Sequence, residues 1–273
     1  MTKGLQKPLF TVLNPTYRKE KYKDCDILSF CKKFQMPMLN KITFLILFMM
    51  NFSIASKPML KSKHTFQQNS GISLDFLVYK PKELNENIPL VLFLHGAGER
   101  GNDLDLVEIH GYPKMVKEGS EFSFIIVAPQ CPEERWWDEP ELVTSLLEIT
   151  KYCVNTLPVD PQRIYATGLS MGGYGTFSLA IQRPDLFAAI IPVCGAADLK
   201  KVNKLKDMPI WIFHGDADNL VPVENSINVF KILEPINPKV KMTIYEGVGH
   251  DSWTETYENP DVMDWLLSQR KSN

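Results

Sequence analysis

The chain has 273 residues, 44% of them apolar, with 19 prolines and 15 glycines, which suits a globular protein with one substantial core. Its formal net charge of −2 hides nine Lys/Arg in residues 1–55 against Glu20, Asp24 and Asp26, so the remainder carries 21 basic and 29 acidic residues. That acidic surplus argues against a nucleic-acid partner, because a phosphate-binding surface needs the opposite balance.

Residues 1–37 mix lysines and aromatics with no clean period. They are expected to be a disordered upstream extension or the product of a start codon assigned too early, with Met36 or Met38 as the first residue; a long n-region is the alternative. Residues 38–55 have the order of a secretory signal: basic Lys41, an apolar run from Ile42 to Met50, then small Ser53 and Ala55 before a cleavage point. The run is shorter than the ~20 apolar residues of a membrane span. Removal of the signal would release a secreted or periplasmic protein with no stable membrane insertion, an uncleaved anchor being the rival. Of five cysteines, Cys25 and Cys31 lie upstream. Cys131, Cys153 and Cys194 have no CxxC spacing, so they leave one disulfide open without demanding it, and no metal site follows.

From residue 56 to 273, short apolar runs alternate with amphipathic stretches, the pattern of an α/β layer fold with a mostly parallel sheet and helices on both faces. Ile72–Tyr79 alternates and predicts an early antiparallel strand. Pro89–Leu94 is continuously apolar, as a parallel strand buried on both faces must be, and Phe122–Ala128 repeats that pattern up to Pro129. Leu142–Val154 predicts a crossover helix, with Leu142, Leu146, Ile149 and Cys153 on one face. Ile164–Thr167 predicts a strand, and Tyr174–Gln182 the helix behind it. Leu186–Cys194, Pro209–Phe213 and Val240–Tyr245 predict three more strands, and Val223–Leu233 and Asp261–Gln269 the last helices. Only Gly195–Met208 separates two of those strands, too short for a large lid. An open, shallow site is expected.

Gly168-Leu169-Ser170-Met171-Gly172 stands between a predicted strand and a predicted helix. A G-x-S-x-G turn there raises the serine hydroxyl above the sheet, with glycines allowing close chain approach and the Met171 N–H facing the space of an oxyanion. A hydroxyl nucleophile needs a base, and the base needs an acid to orient it. Among His64, His95, His110, His214 and His250, only His250 follows the last strand and lies downstream of every acid candidate. His95 and His214 each close a strand as His-Gly and read as loop-fixing residues, while His64 and His110 read as surface residues. Asp218, after the strand ending at Phe213, is the preferred acid, with Asp216 and Asp198 as alternatives. Serine, acid, histidine is the chain order of α/β-hydrolases. The second oxyanion donor falls in the loop after Leu94, at the Ala97 N–H or that of Gly98. Gly96-Ala97-Gly98-Glu99-Arg100-Gly101 also matches the dinucleotide fingerprint, but polar Asn102-Asp103-Leu104-Asp105 follows where a helix should open, so nucleotide binding is not expected. Trp253 and Trp137, the latter paired with Trp136, are candidates for a substrate-stacking platform.

With His95-Gly96-Ala97-Gly98-Glu99-Arg100-Gly101, Gly168-Leu169-Ser170-Met171-Gly172-Gly173, His214-Gly215-Asp216-Ala217-Asp218 with Val221-Pro222, and Gly249-His250, the chain resembles the α/β-hydrolase superfamily from about Leu74 to Leu267. Within it, the chain looks most like the secreted esterase branch of feruloyl and acetyl-xylan esterases, polyhydroxybutyrate-depolymerase-like enzymes and prolyl-oligopeptidase-type catalytic domains. The resemblance implies a serine esterase acting on small-molecule or polysaccharide-linked esters, with no cofactor and no metal. A serine peptidase acting on short peptides and a catalytically silent binding module are the rival readings.

Overall fold

The computed structural model describes residues 10–13, 59–68, 71–83 and 86–271. The expected signal, residues 38–55, lies outside them, as do Cys25, Cys31 and the upstream extension other than residues 10–13. Nine strands form one sheet: β1 (Phe10–Leu13), β2 (Leu60–Gln67), β3 (Ser73–Lys80), β4 (Ile88–Leu94), β5 (Ile125–Pro129), β6 (Val159–Leu169), β7 (Ala189–Val193), β8 (Ile210–Gly215) and β9 (Val240–Tyr245), in the order β1-β9-β8-β7-β6-β4-β5-β3-β2. β3 runs antiparallel to both β2 and β5, and every other pairing is parallel. The backbone of β1, to which the sequence reading assigned no structure, extends the sheet beside β9.

The continuous apolar runs became the central strands for the reason given above: they are covered on both sides. In β4, Leu90, Leu92 and Leu94 join one core, while Val91 and Phe93 join the other. β5 repeats this, with Ile125 and Val127 on the first side and Ile126 and Ala128 on the second. Helices α2 (Pro140–Thr156), α3 (Met171–Gln182) and α4 (Glu224–Leu233) pack on the first core through Leu146, Ile149, Phe177, Val229 and Phe230. Helices α1 (Gly111–Lys117), α5 (Trp253–Glu258) and α6 (Pro260–Ser268) cover the second through Tyr112, Tyr257, Val262 and Leu266. Each fully buried Leu or Phe contributes about 1.5–3 kcal/mol relative to exposure. No helix among the described residues is long and apolar enough to cross a membrane. Cys131, Cys153 and Cys194 are buried free thiols.

Between β7 and β8 there is a single 3₁₀ turn, Val202–Leu205, and no cap domain. The strand order reverses at β4: β5 lies on one side of it and β6 on the other. Open α/β sheets bind ligands outside the carboxyl ends of the strands at such a switch point. The loop after β4 and the turn after β6 are therefore neighbours there.

Candidate active site

Ser170 occupies the turn between β6 and α3 at φ 53°, ψ −119°. That is a left-handed conformation an L-residue rarely adopts, and it persists only where the surroundings enforce it. They do so through close chain approach. A Cβ on Gly168 would lie 2.5 Å from the Gly172 carbonyl oxygen, and one on Gly172 would overlap the Leu94 carbonyl oxygen. The Ser170 N–H donates to Val193 O at 3.0 Å and lies 3.2 Å from Cys194 Sγ, which pins the turn to the end of β7.

The hydroxyl meets His250, with Nε2 and Oγ 2.9 Å apart. On the other side of the ring, Nδ1–H donates to Asp218 Oδ2 at 2.7 Å. Asp218 Oδ1 accepts from the Leu220 and Val221 N–H groups, both at 2.9 Å. Burial pushes the Asp218 carboxyl up, but the His250 hydrogen bond and the two N–H groups outweigh it and hold the group below the usual carboxylate range. Asp218 therefore stays ionised at neutral pH and fixes the His250 tautomer that leaves Nε2 as an acceptor. The loops bearing the two residues are fastened together: Ala217 N–H donates to Val248 O at 3.0 Å, and Gly247 N–H to Asp216 Oδ1 at 2.7 Å. Asp216, the first alternative acid, is thus a strut between loops. Asp198, the second, is exposed and paired with Lys201 at 2.9 Å.

His214 and His95 lie beneath this layer. Burial lowers the pKa of His214, whose Nε2–H donates to Val221 O at 2.9 Å while Nδ1 meets Ser226 Oγ at 2.7 Å. Burial drives His95 down to about 4, so it is neutral at pH 7. Its Nδ1–H donates to Gly96 O at 2.6 Å, and Nε2 accepts from Cys131 N–H at 2.9 Å. The 3₁₀ turn Ala97–Glu99 is further held by Arg100 Nε on Ala97 O and Gln130 Nε2 on Glu99 O, each 2.9 Å. Ala97 and Met171 each open a helical turn, where an N–H has no partner from the preceding turn, and both line the cleft that contains Ser170. No helix opens at Gly101; a 3₁₀ turn over Leu104–Glu108 follows the polar loop.

The cleft, about 440 Å³ and open to solvent, is also lined by Glu99, His110, Trp136, Tyr174, Leu220 and Trp253. The tryptophan reading needs one correction. Trp137 is fully buried, packed in the core with its indole N–H on His95 O at 3.1 Å, so it offers no face to a substrate. Trp136, 45% exposed under the Arg100 guanidinium, is the member of that pair at the cleft. Trp253 borders it too, with its ring edge-on to His250 at 5.2 Å between centroids. His110 is not an idle surface residue either: it lines the cleft, edge-on to Trp253 at 5.3 Å and 3.7 Å from Glu99 Oε1. Neither His110 nor Glu99 was singled out from sequence, although a lone acid within a glycine-rich loop after a buried strand was a usable signal.

The ligating atoms of Cys194, Asp218 and His250 lie within 4.8 Å of one another. Two of these groups are already hydrogen-bonded to each other, and burial raises the Cys194 thiol to about 12, leaving a neutral sulfur beneath the turn.

Comparisons with known proteins identify the family and the fold. The family model described as Dienelactone hydrolase family matches residues 117–263, a stretch that includes Ser170, Asp218 and His250. A bifunctional acetylxylan esterase/xylanase of Neocallimastix patriciarum is 27% identical over 167 residues, covering 59% of this chain and 24% of that protein. Poly(3-hydroxyalkanoate) depolymerase C of Paucimonas lemoignei is 28% identical over 156 residues, covering 52% of this chain and 36% of its own length. The chain thus spans well under half the length of either relative. A crystal structure of a thermostable esterase superposes with a TM-score of 0.69 at 37% identity, covering 77% of this chain and 63% of that one. An acylaminoacyl peptidase, at 19% identity and a TM-score of 0.60 over 80% of this chain and 43% of its own, shares the fold alone. The chain belongs to the dienelactone hydrolase family and has the α/β-hydrolase fold.

Proposed function

We propose that this protein is a serine esterase that cleaves carboxylic esters through an acyl-enzyme, with polysaccharide-linked or other bulky esters as its substrates. The observation that carries the reading is the unbroken hydrogen-bonded series Asp218–His250–Ser170, at 2.7 and 2.9 Å, ending on a strained turn. Ser170 Oγ attacks the ester carbonyl carbon as its proton passes to His250 Nε2, and Asp218 stabilises the imidazolium. The Met171 and Ala97 N–H groups receive the oxyanion. The tetrahedral intermediate collapses with loss of the alcohol, which takes the proton from His250. Water then attacks the acylated Ser170 with His250 again as base, releasing the acid and restoring the serine.

The open cleft and the absence of a cap between β7 and β8 support access for large esters. The acetylxylan esterase and depolymerase relatives support the ester class, and the composition of residues 38–55 supports export. Ser170→Ala should lower kcat for 4-nitrophenyl acetate by roughly 10⁶-fold, and a fluorophosphonate probe should label the parent but not the variant. Undiminished hydrolysis by Ser170→Ala would end the reading. Turnover of short peptides in preference to aryl esters would move the protein to the peptidase class.

A further inference from the structure

Cys194 follows β7 at φ 42°, a left-handed conformation rare outside glycine, and is fully buried. Three contacts converge on it. Its N–H donates to Phe213 O at 2.8 Å, on the strand that leads to Asp218. Its sulfur lies 3.2 Å from the Ser170 backbone nitrogen, and within 4.8 Å of an Asp218 oxygen and a His250 ring nitrogen. The third contact is Ser252, whose N–H donates to His250 O at 2.8 Å. Ser252 is the N-cap of α5, where a serine hydroxyl ordinarily accepts a helix N–H, yet this hydroxyl caps nothing. It is fully buried and makes no regular hydrogen bond, an arrangement that calls for explanation. It lies instead beside the Cys194 sulfur: burial raises that thiol, and the Ser170 N–H and the Ser252 hydroxyl act against the rise.

We propose that Cys194 is a positioning residue: its sulfur links the Ser170 turn to the His250 loop through Ser252 and keeps nucleophile and base in register. The inference rests on Ser170 being the nucleophile of the proposed reaction. Ser170, Asp218 and His250 follow three different strands, and this one residue touches the Ser170 turn, the strand before Asp218 and the loop of His250. Their register matters because a misplacement of about 1 Å can cost ~10² in rate. A thiol suits the place. Sulfur is a weak acceptor and S–H a weak donor, so it takes the Ser170 N–H and faces Ser252 without drawing Asp218 away from His250. A neutral sulfur also adds no negative charge beneath the space where the oxyanion forms.

The test measures the rate at which a fluorophosphonate probe labels Ser170, alongside kcat for 4-nitrophenyl acetate, in variants that melt cooperatively. Cys194→Ala should be labelled fivefold or more slowly and lose kcat by a similar factor. Cys194→Ser, which restores an acceptor to the Ser170 N–H, should be labelled at least twofold faster than Cys194→Ala. Ser252→Ala should be labelled twofold or more slowly than the parent. Combining it with Cys194→Ala should cost less than a further twofold, as expected of residues acting through one contact. A folded Cys194→Ala labelled less than fivefold more slowly overturns the proposal, whatever its melting temperature, since a purely structural cysteine alters stability alone. Absence of rescue by Cys194→Ser, or a further loss of twofold or more in the double variant, overturns it too. Should Cys194→Ala fail to fold, Ser252→Ala decides, and labelling within twofold of the parent overturns the link. A parent that is labelled but cleaves no ester rejects the esterase reading and leaves the role of Cys194 standing; a parent that is not labelled rejects both.

Discussion

Two imidazoles, His250 and His110, line one cleft, and each lies next to a buried carboxylate on opposite terms. Asp218 and His250 are 2.7 Å apart, and two backbone N–H groups converge on the remaining Asp218 oxygen. Glu99 and His110 are 3.7 Å apart, and Glu99 Oε2, 3.8 Å from His95 Nδ1, makes no hydrogen bond. Both acids are buried. Burial alone penalises the charged form of each, and the donors around it decide whether that penalty stands. Donors hold the Asp218 pKa down, whereas burial holds that of Glu99 up against His110 and nearby N–H groups. A charge fixed in advance suits orienting a base.

Matched isosteric changes test the contrast. Asp218→Asn, which allows the wrong His250 tautomer, should lower kcat by about 10⁴ on every ester, while Glu99→Gln, outside the Asp218–His250–Ser170 series, should leave kcat far closer to that of the parent. Equal, uniform losses from both changes would dissolve the distinction. Ala97→Pro comes next in size. Gly96 before it is extended, at φ −79° and ψ −177°, as a residue preceding proline must be, and the first position of a 3₁₀ turn accepts the ring. Loss of that single N–H should cost about 10²–10³ in kcat. An undiminished kcat would remove Ala97 as the second oxyanion donor.

The smallest effect is on stability, and its sign separates the pairs. Asp218 has a depressed folded pKa, so the stability it contributes is present above its unfolded value and lost as pH falls through the folded one. Glu99 has a raised folded pKa; its contribution is complete below the unfolded value and lost as pH rises through the folded one. Melting curves from pH 4 to 8 should therefore show Glu99→Gln gaining on the parent as pH rises. The deficit of Asp218→Asn should shrink only toward the acid end. Each kcal/mol corresponds to about 2–4 °C in Tm for a chain of this size, and parallel curves for both variants would refute the assignment of opposite shifts.

Much of the fold is legible in the sequence because its central strands are buried on both faces and therefore read as unbroken apolar runs. Val240–Tyr245 matches residue for residue. The unassigned elements lack that signal. β2 is an edge strand carrying Lys61, Lys63 and Thr65, α1 contains Gly111 and Pro113, and α5 is six residues long. The helix behind Ser170 begins at Met171 where the periodicity points to Tyr174, since Gly172 and Gly173 are poor helix formers held in place by packing. At the candidate site, Ser170, Asp218 and His250 stand out because each follows an apolar run. Trp137 and Trp136 are neighbours of identical type, so only tertiary packing distinguishes the core residue from the rim residue. His110 precedes a helix with no sequence signature, and its surroundings come from distant Glu99 and Trp253.

The glycine-rich turn at Ser170 also bears on how the protein gains its reactivity. Three of the first five residues of α3 are glycine, each costing about 1 kcal/mol of helix propensity relative to alanine, and the serine backbone is strained. Neither feature forms on local preference; both are imposed by Leu94, Val193 and Gly195 from strands and loops distant in sequence. Assembly of the nucleophile is thus deferred until the sheet has closed around it. Partly folded chains would carry an inert serine, and the proposed esterase activity should emerge in the same cooperative step as tertiary structure.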